Sequence, residues 1–417
     1  MHHFQYKKNE FYCEDVSLAK IAQEVGTPCY VYSYATLSRH FQVFDKAFEG
    51  ISHLVCFAMK SNSNIAILRS IVKMGGGIDI VSGGELFRAR TAGASADKIV
   101  YSGVGKTREE MAYALHEGIL QFNVESEAEL YVLDEVARSL GKKAPVSLRV
   151  NPNINPRTHP YISTGLKKSK FGVPFAEALA LYEKARKLSG IQIQGVSCHI
   201  GSQITTLAPF QEALAKVKQL VQELKSRKFQ IRHLDLGGGL GIPYKNEKPP
   251  LPKQYGAALK RGLKGLDCRI LFEPGRVLIG NAGILLTKVL YKKGTKRKKF
   301  VIVDGAMNDL IRPALYGSYH ELLPIHKKSG KEKVDVVGPV CESGDFFAEK
   351  RSLPVVDSGD LLAVMSAGAY GFVMASNYNS RPRVAEIMVH GHEYHVVRKR
   401  EEMRDLLHGE HVPKFLI

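Results

Sequence analysis

The sequence predicts a TIM-type (β/α)8 barrel joined to a mainly antiparallel β domain, and two features predict it. Between residues 50 and 276, eight short β-rich runs alternate with amphipathic helical segments, the pattern of parallel strands joined by helical crossovers. After Arg276 the alternation stops, and β-rich runs follow one another with turn residues between them, as antiparallel strands do. A doubly wound sheet carries the same alternation, but eight regular units favour closure.

The strands are read in order as LVCFAMK (54–60), GIDIVS (77–82), KIVYSG (98–103), LQFNVES (120–126), PVSLRVN (145–151), IQGVSCHIG (193–201), IRHLDLGGG (231–239) and CRILFEPGR (268–276). Between them lie NIAILRSIVKMG, ELFRARTAG, REEMAYALHEG, EAELYVLDEVARSLG, PFAEALALYEKARKLSG, PFQEALAKVKQLVQELKSRK and QYGAALKRGLKGL, with TLSRHFQVFDKAFEG ahead of the first strand. Each has apolar residues at three- and four-residue spacing, and most end in or near Gly, as helix C-termini do. The later β-rich runs are GILLTKVLYKK, KFVIVDGAM, KVDVVGPVCES, DLLAVMSAGAY and RVAEIMVHGHEYHVVRKR. The barrel is thus expected over 36–280, and the β-rich domain over 1–35 and 281–417.

Composition narrows the function classes. A chain of 417 residues with 44% hydrophobic content buries a large core. Neither a run of roughly 18 apolar residues nor a secretory signal is found, so the expected compartment is the cytoplasm. Six scattered cysteines without a CxxC pair read as a reduced protein without a zinc site. The net charge of +18 is scattered, and its densest run, Lys292 to Lys299, reads as a solvated turn rather than a nucleic-acid surface.

In a barrel of this type, chemistry gathers where strands end. Those ends carry Lys60; Asp79 and Ser82; Arg149 and Asn151; His199 and Ser202; Gly237, Gly238 and Gly239; and Glu273, Gly275 and Arg276. An amine, a heterocycle, a carboxylate and a glycine turn with bare backbone N–H groups are what pyridoxal 5′-phosphate needs. Taken singly, each has a plainer reading: a snorkelling lysine, a core histidine, a tight turn, a local ion pair. Their shared position at strand ends favours the joint reading.

Three other motifs fail. SGVGKT (102–107) lacks the first glycine of a phosphate loop, whose place is Val100. GGGLG lacks the third glycine of a dinucleotide fingerprint, whose place is Ile242. HGHEYH (390–395) reads as a solvated hairpin, and no metal is expected.

FAMKSN, DIVSGGEL, SGVGKT, SCHIGSQ, LDLGGGLGIPY, FEPGR, RPALYG, GPVCESGD and GAYGF, in this order, resemble the fold-type III, alanine-racemase-like PLP-dependent decarboxylases over nearly the whole chain. The resemblance implies that Lys60 forms the Schiff base with the cofactor, His199 stacks on its ring and Glu273 partners the pyridine nitrogen. It implies a phosphate cradle from Ser202, Gly238, Gly239 and the backbone of Pro274, Gly275 and Arg276, with Tyr370 reaching phosphate and substrate. Arg276, Arg312 and Tyr316 match positions that hold a distal substrate carboxylate, Glu342 one that meets a distal amine, and Cys341 the proton donor. The implied reaction is decarboxylation of meso-2,6-diaminopimelate to L-lysine in a homodimer whose CESGD segments complete each other's sites. Decarboxylases of ornithine, arginine or carboxynorspermidine, and an amino-acid racemase, are the alternatives. Arg312 and Glu342 weigh against the former, because a bare amine at the far end calls for an acid where RPALYG offers an arginine, and CESGD differs from the CDGxD-like segment of ornithine decarboxylases.

Overall fold

The computed structural model describes residues 2–155, 164–165, 169–295 and 298–417. Two compact units emerge, Ser38–Ile279 and a second built from Met1–Leu37 with Gly280–Ile417.

The first unit is a closed barrel. Its strands are β1 (His53–Ala58), β2 (Gly77–Ile80), β3 (Ile99–Tyr101), β4 (Gln121–Val124), β5 (Ala144–Asn151), β6 (Ile191–Ser197), β7 (His233–Asp235) and β8 (Arg269–Phe272). Each pairs in parallel with its sequence neighbour, and β8 pairs with β1 to close the ring. Register follows the pleat: Ala58 lies opposite Asp79, and Asp235 opposite both Ser197 and Leu271. Leu54, Cys56, Val100 and Leu271 form an apolar plug with Leu120 against it. Outside, Phe272 stacks on Phe48 at 3.9 Å between ring centres; burial of such a ring is worth about 1.5–3 kcal/mol.

Except for β5, the strands are shorter than the apolar runs suggest, because the chain leaves the ladder to cap the next helix. Asn64 accepts from Ala66 N–H, Ser82 from Glu85 N–H, and Ser126 from Glu129 N–H, each through its side chain. Thr107 and Glu110 form a reciprocal capping box at the start of the helix Arg108–Glu117. SGVGKT is thereby explained as structure. The Lys106 amine is buried and donates to the carbonyls of Gly103 (2.7 Å) and Asn123 (2.9 Å) and to Glu129 Oε1 (2.7 Å).

The second unit is a mixed sheet dominated by antiparallel pairs. Along it run Phe346–Leu353, Glu332–Val337, Lys299–Val303, Gly283–Gly294, Cys29–Ser33, Ala385–His390 and Glu393–Arg398. Only the pairings of Lys299–Val303 with Glu332–Val337 and of Cys29–Ser33 with Ala385–His390 are parallel in this row. A small sheet of Phe4–Lys7, Glu10–Cys13 and Val16–Ser17 joins the same core, where Phe4, Phe11 and Ile21 pack with Ile284, Leu286 and Ile387. HGHEYH spans the turn of its last hairpin. Among the described residues no three ligating side chains cluster as a metal site, and no helix is long and apolar enough to cross a membrane. In the basic run, Lys292 and Lys299 pair with Glu332 and Lys298 with Asp335; Lys296 and Arg297 lie outside the described residues.

Candidate active site

Lys60 sits one step beyond β1, in a single 3-10 turn, Met59–Ser61. The polar residues after it serve that turn and the next helix: Ser61 Oγ donates to the Ala58 carbonyl at 2.7 Å, and Asn62 Oδ1 accepts from Asn64 N–H at 3.0 Å. The Lys60 amine therefore stands on a braced elbow and donates to Asp79 Oδ2 at 3.3 Å. Asp79 is wholly buried on β2, and its Oδ1 has no hydrogen-bond partner among the described residues. A buried acceptor left open in this way is costly unless a bound group meets it.

His199 follows β6. Its Nδ1 accepts from Gly238 N–H at 3.1 Å, which places the ring proton on Nε2. Burial, with Arg149 and Lys60 nearby, holds the imidazole well below its ordinary pKa, so it is neutral. The triple-glycine turn leaves β7 and packs too closely for side chains. Gly237 has φ of +64°, and a Cβ on it would stand 2.7 Å from the Cys198 carbonyl oxygen and from His199 Nδ1. On Gly238 a Cβ would overlap the Glu273 carbonyl, and on Gly239 that of Gly201. Such a turn lets a ligand approach the backbone where any other residue would place a side chain, while the N–H groups of Gly237 and Gly238 are held by Asp235 and His199.

Glu273 is the first residue beyond β8 and is 6% exposed. Its N–H donates to the Gly237 carbonyl at 2.8 Å, locking β8 to the glycine turn. Oε1 accepts from Asn123 Nδ2 at 3.1 Å and from Ser102 Oγ at 3.2 Å. Burial first, then Asp235 and Asp79, push its pKa well above the usual range, while the Lys60 cation opposes them. A cation at this carboxyl is what would draw its proton off. Pro274 and Gly275 follow, and a Cβ on Gly275 would crowd Ser61 at 3.0 Å. Arg276, also 6% exposed, begins the short helix Arg276–Ile279 and donates to Tyr244 OH (2.6 Å) and Ser202 Oγ (3.2 Å).

Lys60, His199, the glycine turn, Glu273, Arg276 and Ser202 thus stand at one end of the barrel. Three other residues from the strand-end set do structural work. Ser82 caps a helix, Arg149 pairs with Glu125 at 2.6 Å, and Asn151 Nδ2 donates to the Phe171 carbonyl at 3.3 Å. The sequence does not single out Asn123, Asp235, Ser102 and Glu85 at the same end. Asn123 and Asp235 read as ordinary strand residues, while Glu85 lies within DIVSGGEL and burial pushes it up to about 7.

The remaining candidates belong to the second unit. Arg312, 4% exposed, begins the helix Arg312–Tyr316, which Gly317 ends in the left-handed region. Its guanidinium donates to His320 Nε2 at 2.9 Å and Ser318 Oγ at 3.2 Å, and His320 Nδ1 in turn donates to the Met365 carbonyl at 2.8 Å. Neither His320 nor Ser318 is visible as a partner in the sequence. Tyr370 holds a φ of +56°, strained for a side chain of its size. The CESGD loop folds around the Asp345 carboxylate, which accepts from Met307 N–H (2.7 Å) and Val340 N–H (2.8 Å). Cys341 and Glu342 are exposed on that loop, and Asn379 Oδ1 accepts from Cys341 N–H at 2.9 Å.

The barrel end fits pyridoxal 5′-phosphate: an amine, an open buried acceptor, a neutral heterocycle, a glycine turn too tight for side chains, and a carboxyl poised to lose its proton. Residues 34–280 match the pyridoxal-binding domain of the pyridoxal-dependent decarboxylases. The class is therefore that of the PLP-dependent decarboxylases. Diaminopimelate decarboxylase from Pseudomonas aeruginosa is 51% identical, with 98% of each chain covered. The structure of Helicobacter pylori diaminopimelate decarboxylase complexed with L-lysine is 43% identical, covers 94% of this chain and 98% of that one, and superposes with a TM-score of 0.91. That of M. jannaschii, also in complex with L-lysine, is 38% identical with full coverage of both chains and a TM-score of 0.95. The chain belongs to the diaminopimelate decarboxylase family.

Proposed function

We propose that the chain decarboxylates meso-2,6-diaminopimelate to L-lysine and CO2, the closing step of lysine biosynthesis, in the cytoplasm. The observation that carries this reading is the convergence of Lys60, Asp79, His199, the glycine turn and Glu273 at one barrel end, in a chain half identical to diaminopimelate decarboxylases. Residues 36–280 are taken as the cofactor-binding domain, and 1–35 with 281–417 as the β-rich domain.

Pyridoxal phosphate supplies an electron sink next to the α-carbon. The protein's part is attachment, orientation and proton control. The Lys60 amine, held on its elbow beside Asp79, is the covalent anchor. The flat of the neutral His199 ring would stack on the cofactor ring without adding charge. Glu273 as a carboxylate holds a proton on the ring nitrogen. Ser202, Gly238, Gly239, Pro274, Gly275 and Arg276 are assigned to the phosphate, and Tyr370 to phosphate and substrate. Arg276, Arg312 and Tyr316 hold the substrate's distal carboxylate, and Glu342 its distal amine. His320 and Ser318 fix the plane of the Arg312 fork, which bidentate carboxylate binding requires.

Cys341 Sγ gives the proton that replaces CO2 on the α-carbon. We assign Cys341 and Glu342 to the partner's site in a homodimer, a reading supported by their exposure on a loop whose backbone is already fixed. The test is to supply meso-diaminopimelate to the purified protein with pyridoxal phosphate and to measure CO2 and L-lysine. Formation of both supports the reading. Cofactor binding without either product overturns it.

A further inference from the structure

Barrel interiors are ordinarily filled by Val, Ile and Leu. This one carries a file of polar side chains. His233 Nδ1 donates to Gln121 Oε1 (2.8 Å), Gln121 Nε2 donates to Asn123 Oδ1 (2.9 Å), and Asn123 Nδ2 donates onward to Asp235 Oδ2 (3.0 Å) and Glu273 Oε1 (3.1 Å). The first donor fixes the amide orientation of the second, so Asn123 presents N–H and not C=O to the acids. Gln121, Asn123 and Asp235 are buried.

Asp235 is the junction. Oδ1 accepts from Gly237 N–H at 2.9 Å, at the residue that opens the glycine turn with positive φ. Its Oδ2 and Glu273 Oε1 accept from the same Asn123 Nδ2, which brings the two buried carboxyl groups side by side. One side chain thus links the turn assigned to the phosphate with the carboxyl assigned to the ring nitrogen, the two ends of the cofactor. Two buried carboxyl groups that share one donor stand close enough for a single proton to serve both, because two adjacent anions repel in a buried site.

We infer that Asp235 is a positioning residue: in the holoenzyme it holds the pair's one proton and donates it to Glu273, which therefore bears the single negative charge. The inference rests on the assignment of Glu273 to the ring nitrogen. In the protein alone, burial raises both carboxyl groups. A cation at the ring nitrogen would favour charge on Glu273, the acid assigned next to it. Among the described residues, the other ionisable groups that act on the pair include Asp79, Lys60, Cys56 and Cys198, and both thiols are pushed up by burial, so neither competes as an anion. Gln121 and His233 supply a neutral backing that fixes Asn123 without adding charge. The arrangement lets one full charge sit beside the ring while a second acid, one residue from the glycine turn, stays neutral.

The test is infrared difference spectroscopy on the holoenzyme at about pH 9, where Glu85 and Asp309, both raised to about 7, are ionised. The expected result is a protonated-carboxyl stretch above the amide I band, shifted in D2O, that is absent in Asp235→Asn. A wild-type spectrum without that band, or a band retained in Asp235→Asn, overturns the inference. Asp235→Ala, which removes the donor altogether, is expected to release the cofactor about tenfold more readily than Asp235→Asn, the worth of one hydrogen bond to a charged group. Equal release from the two variants also overturns it. Cofactor absorbance in the wild type reports separately on the Glu273 site, so a failed proton assignment is distinguishable from a failed cofactor site.

Discussion

The barrel end and the CESGD loop carry candidate residues under opposite physical conditions. At the barrel end Asp79, Glu273 and Arg276 are buried and bonded within one unit, and the glycine turn cannot accept a Cβ. On the loop the backbone is fixed by Asp345 and Asn379, while the Cys341 and Glu342 side chains are exposed. The difference separates two jobs. We assign the first region to holding and charging a cofactor, and the second to presenting groups to something that arrives from outside. Changes in the barrel should therefore remove the cofactor or its attachment, whereas changes on the loop should stop turnover and leave the cofactor in place.

The largest effect is expected from Lys60→Ala, with no detectable L-lysine formed from meso-diaminopimelate; substantial turnover would remove the barrel end from the chemistry. Cys341→Ala should lower kcat by roughly 10²–10⁴-fold, the range for loss of a general acid, with the cofactor's near-visible absorbance kept. Loss of that absorbance would break the contrast between the regions. Mixing the Cys341→Ala and Lys60→Ala chains should restore part of the activity, because some heterodimers hold one intact site; failure after proven subunit exchange would return Cys341 to its own barrel.

Gly238→Ala sharpens the contrast from the barrel side. Its Cβ meets the Glu273 carbonyl, so the turn must shift, at a cost of roughly 1–3 kcal/mol for overpacking. Weaker cofactor retention and an earlier urea midpoint are the expected readings. Asp345→Ala is the counterpart on the loop. It leaves the N–H groups of Met307 and Val340 without their acceptor, at about 1–3 kcal/mol for each that stays buried, and should lower kcat while cofactor titration stays as in the wild type.

The smallest effect concerns pH. Glu85 in the barrel and Asp309 in the second unit are both pushed up to about 7, by burial first. The native state then binds protons that the unfolded chain has released, so stability falls as pH rises from the ordinary carboxyl range through about 7. Glu85→Gln and Asp309→Asn should each flatten that fall in melting scans from pH ~5 to ~8. A melting profile unchanged by either variant would contradict the burial of that group.

The fold was legible because amphipathic helices and apolar strands repeat eight times, a signal that survives errors at each boundary. The strand ends were less so. The run CFAMK stays apolar past Ala58, yet the chain turns at Met59 because Ser61, Asn62 and Asn64 supply the hydrogen bonds of a turn and a cap. Lys60, His199 and Glu273 could be read because each is polar where a buried strand should end. Asp235 and Asn123 could not, since a single polar residue inside a strand run looks like a solvent-facing position until closure turns it inward. His320 and Asn379 were hidden for another reason: each acts on a residue 8 or 38 positions away through one hydrogen bond, which leaves no local pattern.

The central claim is that the Lys60 amine is the cofactor's covalent anchor. Borohydride reduction of the holoenzyme, followed by digestion and peptide mass mapping, tests it most directly. The account predicts a pyridoxyl-phosphate adduct on the peptide that contains Lys60 and on no other. An adduct on a different lysine, or none in a protein that retains the cofactor's absorbance, would contradict it.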